Sequence, residues 1–471
     1  MGKRLHCVIV AIVTSLSGFL ITSTVTTVYS GANIIGLEFD GSMLSWVPIA
    51  MVMSFGLAAP TCGVIATVHG PRLVSLVGGV VVTLSMLVSA FAQSGVHAFI
   101  TFGIITGIGC SLVYIGIYES VKTMFTTNRN IVFGIVGCIS FCGYFTKPLT
   151  QNVLEVYHWR GTLLIFTGVL MNIIPLSCLL PSAERRNDNP QPSITQGGLI
   201  NDMNRRPIVR NSWAQKPNGI RLSTRRDSED LETLWNEGPD EPRAFLKGSR
   251  ILDMMKIWRK TGYFALLFAT MLYGYGVSVV LMHIQGYVIA RSFTANPGSE
   301  LLLIVLGVSV CVWNLLQGVV TNYLLDPVYW YVMLATVGGL ITFVFIIPLP
   351  LSIIFVYAAL VGISFAGTGR EITASIIINL AGEDNFAFPF GINVFVSTMA
   401  MSIASPSTGW ILKKAHSYKP VFAIAAVAMA MAAIIVFLLQ KKLKKTSIQL
   451  ERSRRRALSG DETGMVHVTS L

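Results

Sequence analysis

Apolar residues in this chain come in long unbroken blocks rather than in alternation with polar ones. A helix needs about 20 residues to cross a bilayer core. Six blocks of that size lie in the first 181 residues: Cys7–Ser30, Leu44–Val68, Leu73–Ala92, Phe99–Tyr118, Ile131–Leu154 and Thr162–Leu180. A polar stretch follows, and then six more: Tyr263–Val288, Leu301–Leu325, Tyr331–Pro348, Ile353–Leu380, Phe386–Leu412 and Val421–Leu439. Continuous blocks predict helices, not barrel strands, because a helix closes its own backbone hydrogen bonds where no water is present. The pattern predicts an all-α membrane protein of twelve spans. It divides into a six-helix bundle (1–181), an intervening segment (182–260), a second six-helix bundle (261–440) and a tail (441–471). The first block is too long for a removable secretory signal and lacks a small-residue cleavage site.

Composition sharpens that reading. Of 471 residues, 53% are hydrophobic and 12% charged, against about 25% charged in soluble proteins. The net charge of +12 is concentrated: 15 of the 35 lysines and arginines fall between Pro181 and Lys260, and eight more in "KKLKKTSIQLERSRRR" after the last block. Basic residues beside the membrane mark the cytoplasmic side, so both termini and the central segment are expected there. Lys413, Lys414 and Lys419 run against the rule and are outweighed. Anionic lipid is the natural partner of such charge. Nucleic acid is not, since no folded soluble basic domain is evident.

The central segment, through "DSEDLETLWNEGPDEPR", mixes both charge signs with Pro, Gly and Asn, a composition expected to remain largely disordered. All seven cysteines lie in or at the edge of blocks, so no disulfide framework is expected. Neither a metal-ligand cluster nor a cofactor motif is present, and no nucleophile and base converge as an enzyme would need. The terminal "HVTSL", with Thr469 and Leu471, fits the pattern of a peptide that adds a strand to a PDZ domain.

Two halves joined by a long loop suggest the internal repeat of the major facilitator superfamily. "GVIATVHGPR", with Gly63, Gly70 and Arg72, resembles that superfamily's loop motif, and "GVVTNYLLDP", from Gly318, stands at the matching place in the second half. A narrower likeness runs through "MFTTNRNIVFGIVGCISFCGYFTKPLTQNVLEVYHWRGTLLIFTGVL", "LMHIQGYVIARSF", "VYAALVGISFAG" and "INLAGEDNFAFPFGINVFV". These resemble, in order, stretches of the monocarboxylate transporter family, including the aromatic-Trp-Arg-Gly-Thr turn at Tyr157 to Thr162. The resemblance implies a bundle that moves a monocarboxylate or related amphipathic anion by alternating access. For some members it also implies a single-span accessory protein at the cell surface. The chain departs from that family where its proton-coupled members carry charge. Their first-helix lysine falls at Ser23, and their eighth-helix acid and arginine fall near Val310 and Asn314. Facilitated diffusion is therefore expected in place of the family's proton coupling, with symport through Glu371 or His283 as the other mode. A non-transporting receptor or scaffold on the same fold is the competing reading.

"AGTGREITASIIINL" supplies charge elsewhere, as Arg370 and Glu371 in the tenth block. Ions inside a membrane are costly and face a bundle interior or a watery cavity. Three roles fit Arg370 and Glu371: an anion site, a tie between helices, or a gate at the cytoplasmic end. Lys147 lies in the fifth block, where it can face the cavity or reach the interface. His283 in the seventh can titrate or pack. Asn314 and Gln317 in the eighth can bond a solute or a neighbouring helix, and Ser23 belongs to a hydroxyl stripe in the first. Glu119 and Lys122 are three apart and are expected to form a bracing ion pair.

Overall fold

The computed structural model describes residues 41–125, 128–141, 146–180, 261–292, 298–344, 347, 350–367, 369–382 and 385–458. The first apolar block with Ser23, the central segment, and Thr469 to Leu471 lie outside the described residues. Contacts gather the described helices into one unit.

The first half contributes α1 (Gly41–His69), α2 (Pro71–Ala90) and α3, a rod over Gly95–Met124 that includes a π-helical turn at Phe99–Ile105. After it come α4 (Arg129–Phe141), α5 (Thr146–Leu170) and the short α6 (Ile173–Cys178). The second half contributes α7 (Thr261–Ser292), α8 (Gly298–Tyr323), α9 (Pro327–Val344), α10 (Leu351–Gly367), α11 (Arg370–Ala381), α12 (Ala387–Ala415) and α13 (Lys419–Leu458). Among the described residues ten helical stretches are long and apolar enough to span a membrane, and α4 is a shorter apolar helix.

Two blocks differ from their expected form. The fifth is shared between α4 and the start of α5, and α5 turns sharply at His158 (φ 56, ψ 179), just before Trp159, Arg160 and Gly161. The Thr162 hydroxyl donates to the His158 carbonyl at 2.7 Å across this bend, and Arg160 donates to the Ala92 carbonyl at 3.5 Å. The tenth block is not one helix. It breaks between Gly367 and Gly369, so Arg370 opens a new helix rather than sitting inside a long one.

Two tight turns at one end of the bundle need glycine, because their φ values are positive: Gly70 (88°) before α2 and Gly382 (86°) after α11. Successive spans alternate in direction, so the α8–α9 turn, the start of α7 and the continuation of α13 past its apolar part lie at this same end, here called the base. The halves meet there through two antiparallel crossings, α1 with α12 and α4 with α8. A Cβ on Gly63 would lie 2.5 Å from the Ala387 carbonyl oxygen, and one on Gly134 the same distance from that of Asn314. One on Gly318 would lie 2.9 Å from the Asn130 carbonyl oxygen, and one on Gly391 would collide with that of Ala59. With no hydrophobic drive between helices in lipid, backbones brought this close by small residues supply dispersion contact instead.

Replacing Gly134 with Ala forces α4 and α8 apart and should cost about 1–3 kcal/mol, read as a lower unfolding midpoint in detergent. Gly168→Ala, where the added atom meets nothing within 4 Å, should leave the midpoint unchanged or raised.

Candidate functional site

The break in the tenth span carries the charges. Gly369 caps α11 with extended geometry (φ −66, ψ −175), and the Thr373 hydroxyl donates back to the Arg370 carbonyl at 3.0 Å. Glu371 falls in the first turn, where an acidic side chain suits the positive end of the helix dipole. Counting about 1.5 Å per residue, Arg370 lies roughly 18 Å above Gly382, near mid-depth.

Adjacent residues on a helix point about 100° apart, and the two charges part company accordingly. No ion pair joins them among the described residues. Arg370 is half-buried and reaches to the other half, with its guanidinium carbon 5.4 Å from the ring centres of both Phe55 on α1 and Tyr114 on α3. Such cation–π contacts are worth about 0.5–1 kcal/mol each when exposed and more when dry. Glu371 is buried at 6% exposure, and its Oε1 accepts a 3.1 Å hydrogen bond from the Tyr118 hydroxyl on α3. Space for that carboxyl exists because residue 137 of α4 is glycine; a Cβ there would lie 2.8 Å from the carboxyl carbon.

An aromatic column descends from this point to the base. Tyr114 meets Phe55 edge-on at 5.5 Å and Tyr118 at 4.6 Å; Tyr118 stacks on Phe390 of α12 at 4.8 Å and on Phe133 of α4 at 5.4 Å. Phe390 stacks on Phe386 at 5.0 Å, and the Lys122 ammonium lies 6.0 Å from the Phe386 ring. Lys122 also pairs with Glu119, and both are buried because α3 continues to Met124, past the end expected at Tyr118. Beside the column, the Ser375 hydroxyl donates to Asn130 Oδ1 at 2.8 Å, while Asn130 Nδ2 donates to the Thr321 carbonyl at 3.0 Å. This one amide of the first half thus holds two helices of the second, and the base is closed.

Other candidates lie elsewhere. His283 Nε2 is 2.6 Å from the Thr408 hydroxyl, and its ring meets Tyr418 edge-on, so it packs within the second half away from the base. Gln317 Nε2 donates to Asn314 Oδ1 at 2.7 Å, and both side chains are buried on α8 beside the Gly134 crossing. Lys147 falls within α5, but its side chain is outside the described set, and so is the whole of Ser23. Among the described residues no group of three or more His, Cys, Asp or Glu is placed to hold a metal. Reading for charge passed over Tyr114 and Tyr118, although their spacing of four on a helix was a visible sign of a shared face. It also passed over Asn130, whose partners are remote in sequence.

Antiparallel helices in two halves, closed at one end through α1/α12 and α4/α8, fit the family description "Major Facilitator Superfamily", which matches residues 7–381. The chain belongs to the Major Facilitator Superfamily. Its similar members include monocarboxylate transporter 12 of Rattus norvegicus, 22% identical over 91% of this chain and 86% of that protein. They also include monocarboxylate transporter 9 of Mus musculus, 23% identical over 81% and 82%. From these relatives the chain is divergent. Two solved superfamily structures share the fold. The proton:xylose symporter XylE has a TM-score of 0.63 at 14% identity, covering 93% of this chain and 96% of that one. The human organic anion transporter MFSD10 has a TM-score of 0.62 at 14% identity, covering 93% and 100%. Transport of small solutes across a membrane is the work of this superfamily, and the chain is an integral, multi-pass member of it.

Glu371→Ala removes the acceptor for a buried tyrosine hydroxyl and should destabilise the protein by about 1–3 kcal/mol, seen as a lowered thermal midpoint in detergent. Glu371→Gln keeps an acceptor oxygen of the same shape and should recover most of that loss.

Proposed function

We propose that this superfamily member carries a small organic anion, a monocarboxylate or a related amphipathic acid, by alternating access between its two halves. The observation that supports this reading is Arg370, a half-buried guanidinium near mid-depth, seated on rings of the opposite half and without a carboxylate partner among the described residues. A planar guanidinium matches a carboxylate through two parallel hydrogen bonds. The rings beside and below Arg370 would supply apolar surface for the remainder of the solute. The closed base beneath Arg370 supports a cycle in which the solute reaches it from the other end and leaves once the base contacts part. Basic residues near the base support its facing the cytoplasm, with both termini, and the plasma membrane is the membrane we propose. In this reading the division is the one expected from sequence, two six-helix bundles (1–181 and 261–440) around a cytosolic loop.

The mode proposed is facilitated diffusion. A second mode, proton symport, is favoured by one feature: Glu371 is buried next to the anion site and touches the other half through Tyr118 alone among described hydrogen bonds. A carboxyl so placed has the geometry for exchanging a proton as the halves separate.

Reconstituted protein should take up one or more of labelled lactate, pyruvate and aromatic amino acids. Arg370→Ala should lower uptake at subsaturating solute by about tenfold to a hundredfold, the loss of a charged hydrogen-bonded contact of about 1.5–3 kcal/mol, and Arg370→Lys should restore only part of it. Undiminished uptake by Arg370→Ala of every solute the wild type accepts would remove Arg370 from the site. An imposed proton gradient should leave the wild-type rate unchanged; stimulation that disappears in Glu371→Gln would establish symport instead. A complete absence of uptake across a broad solute panel would favour the receptor or scaffold reading.

A further inference from the structure

Seven cysteines are present, and six of them belong to the first half; Cys311 alone belongs to the second. That single thiol lies on α8 at the crossing with α4, buried at 8% exposure, and its Sγ donates to the carbonyl oxygen of Cys138 at 3.2 Å. Cys138 stands one turn from Gly134, the glycine that brings the two backbones together, and is half-buried, while neither residue is in a disulfide. The Cys311 sulfur therefore lies against the backbone of Cys138, between helices of opposite halves, at one of the two crossings that must loosen when the base opens. We propose that Cys138 and Cys311 form an oxidation-sensitive pair, and that a disulfide between them locks the halves together.

The chemistry balances with a peroxide as oxidant. The Cys138 thiol, the more exposed of the two, attacks one peroxide oxygen as a thiolate, giving a sulfenic acid and one water. Cys311 sulfur then displaces the sulfenic hydroxyl as a second water, and the S–S bond forms. In all, two thiols give up two protons and two electrons, and one hydrogen peroxide becomes two waters. A disulfide requires Cα atoms about 4.4–6.8 Å apart. An Sγ in contact with the partner's own carbonyl oxygen brings the two backbones near that range, and the bond closes once the Cys138 side chain turns toward α8.

The pairing itself does not depend on the transport reading, and two measurements keep them apart. Full-length protein in dilute detergent is treated with hydrogen peroxide and alkylated. Trypsin then cuts it in the arginine-bearing segment between the halves, and a reducing gel verifies the cut. On a non-reducing gel the two halves should run as one species of monomer mass and separate after dithiothreitol. Cys138→Ser and Cys311→Ser should each abolish the link, and Cys142→Ser, altered four positions further along the sequence, should retain it. Halves that separate after oxidation, or remain joined in Cys138→Ser, would overturn the pairing. In proteoliposomes carrying whichever solute the wild type accepts, peroxide should abolish uptake and dithiothreitol restore it, with both serine variants resistant. A link that forms while uptake continues would overturn the lock and leave the pairing standing.

Discussion

Backbone contact between the halves sets the scale on which everything else at the base is built. Where α1 crosses α12 and α4 crosses α8, glycines allow main chain to lie on main chain, and even one extra methyl group would strike a carbonyl oxygen. Only at that separation can Tyr118 of one half reach Glu371 of the other, or Asn130 bridge Ser375 and Thr321. Polar groups that would be costly in lipid are satisfied across a seam. The same bonds that bury them hold the bundle shut.

A chain built this way can change state without refolding. The inter-half hydrogen bonds named at the base are few, and each half carries its own internal bonds, such as Ser85 to Thr106 or Tyr273 to Ser364. Separating the base breaks those bonds, whose individual net worth is about 0.5–1.5 kcal/mol, and unpacks the α1/α12 and α4/α8 crossings. A solute bound more tightly in one state shifts the balance by its difference in affinity. Arg370 is well placed for this, since it leans on the first half while belonging to the second.

Much of this was legible in the sequence, for physical reasons. Apolar blocks announce spans because lipid imposes a fixed length, and a pair of charges in one of them announces an interior surface because lipid does not solvate ions. The two-glycine stretch before Arg370 marked the place where the tenth span breaks. What stayed hidden depends on partners remote in the chain. Glu119 and Lys122 were placed just past the last apolar position, Tyr118, at the inner end of the span, yet α3 continues for a further turn and a half under the cover of Phe386. Asn130 looked like part of a polar loop, and its role depends on residues nearly two hundred or more positions away. His283 read as a titrating group or, more readily, as a hydrogen-bonded packing one; its contact with Thr408 is a bond to a neighbouring helix of its own half.

The π-helical turn at Phe99–Ile105 bears on the base from the opposite end of α3. A π turn takes in one residue more than the α-helical ladder would, and a single residue corresponds to a rotation of about 100° around the axis. Every side chain downstream on that rod inherits the phase so set, Tyr114 and Tyr118 included. Straightened to ordinary α-helix by removal of one residue, α3 would present these phenols to a different neighbour, and the seam would lose its partner for Glu371 without any change at the seam itself.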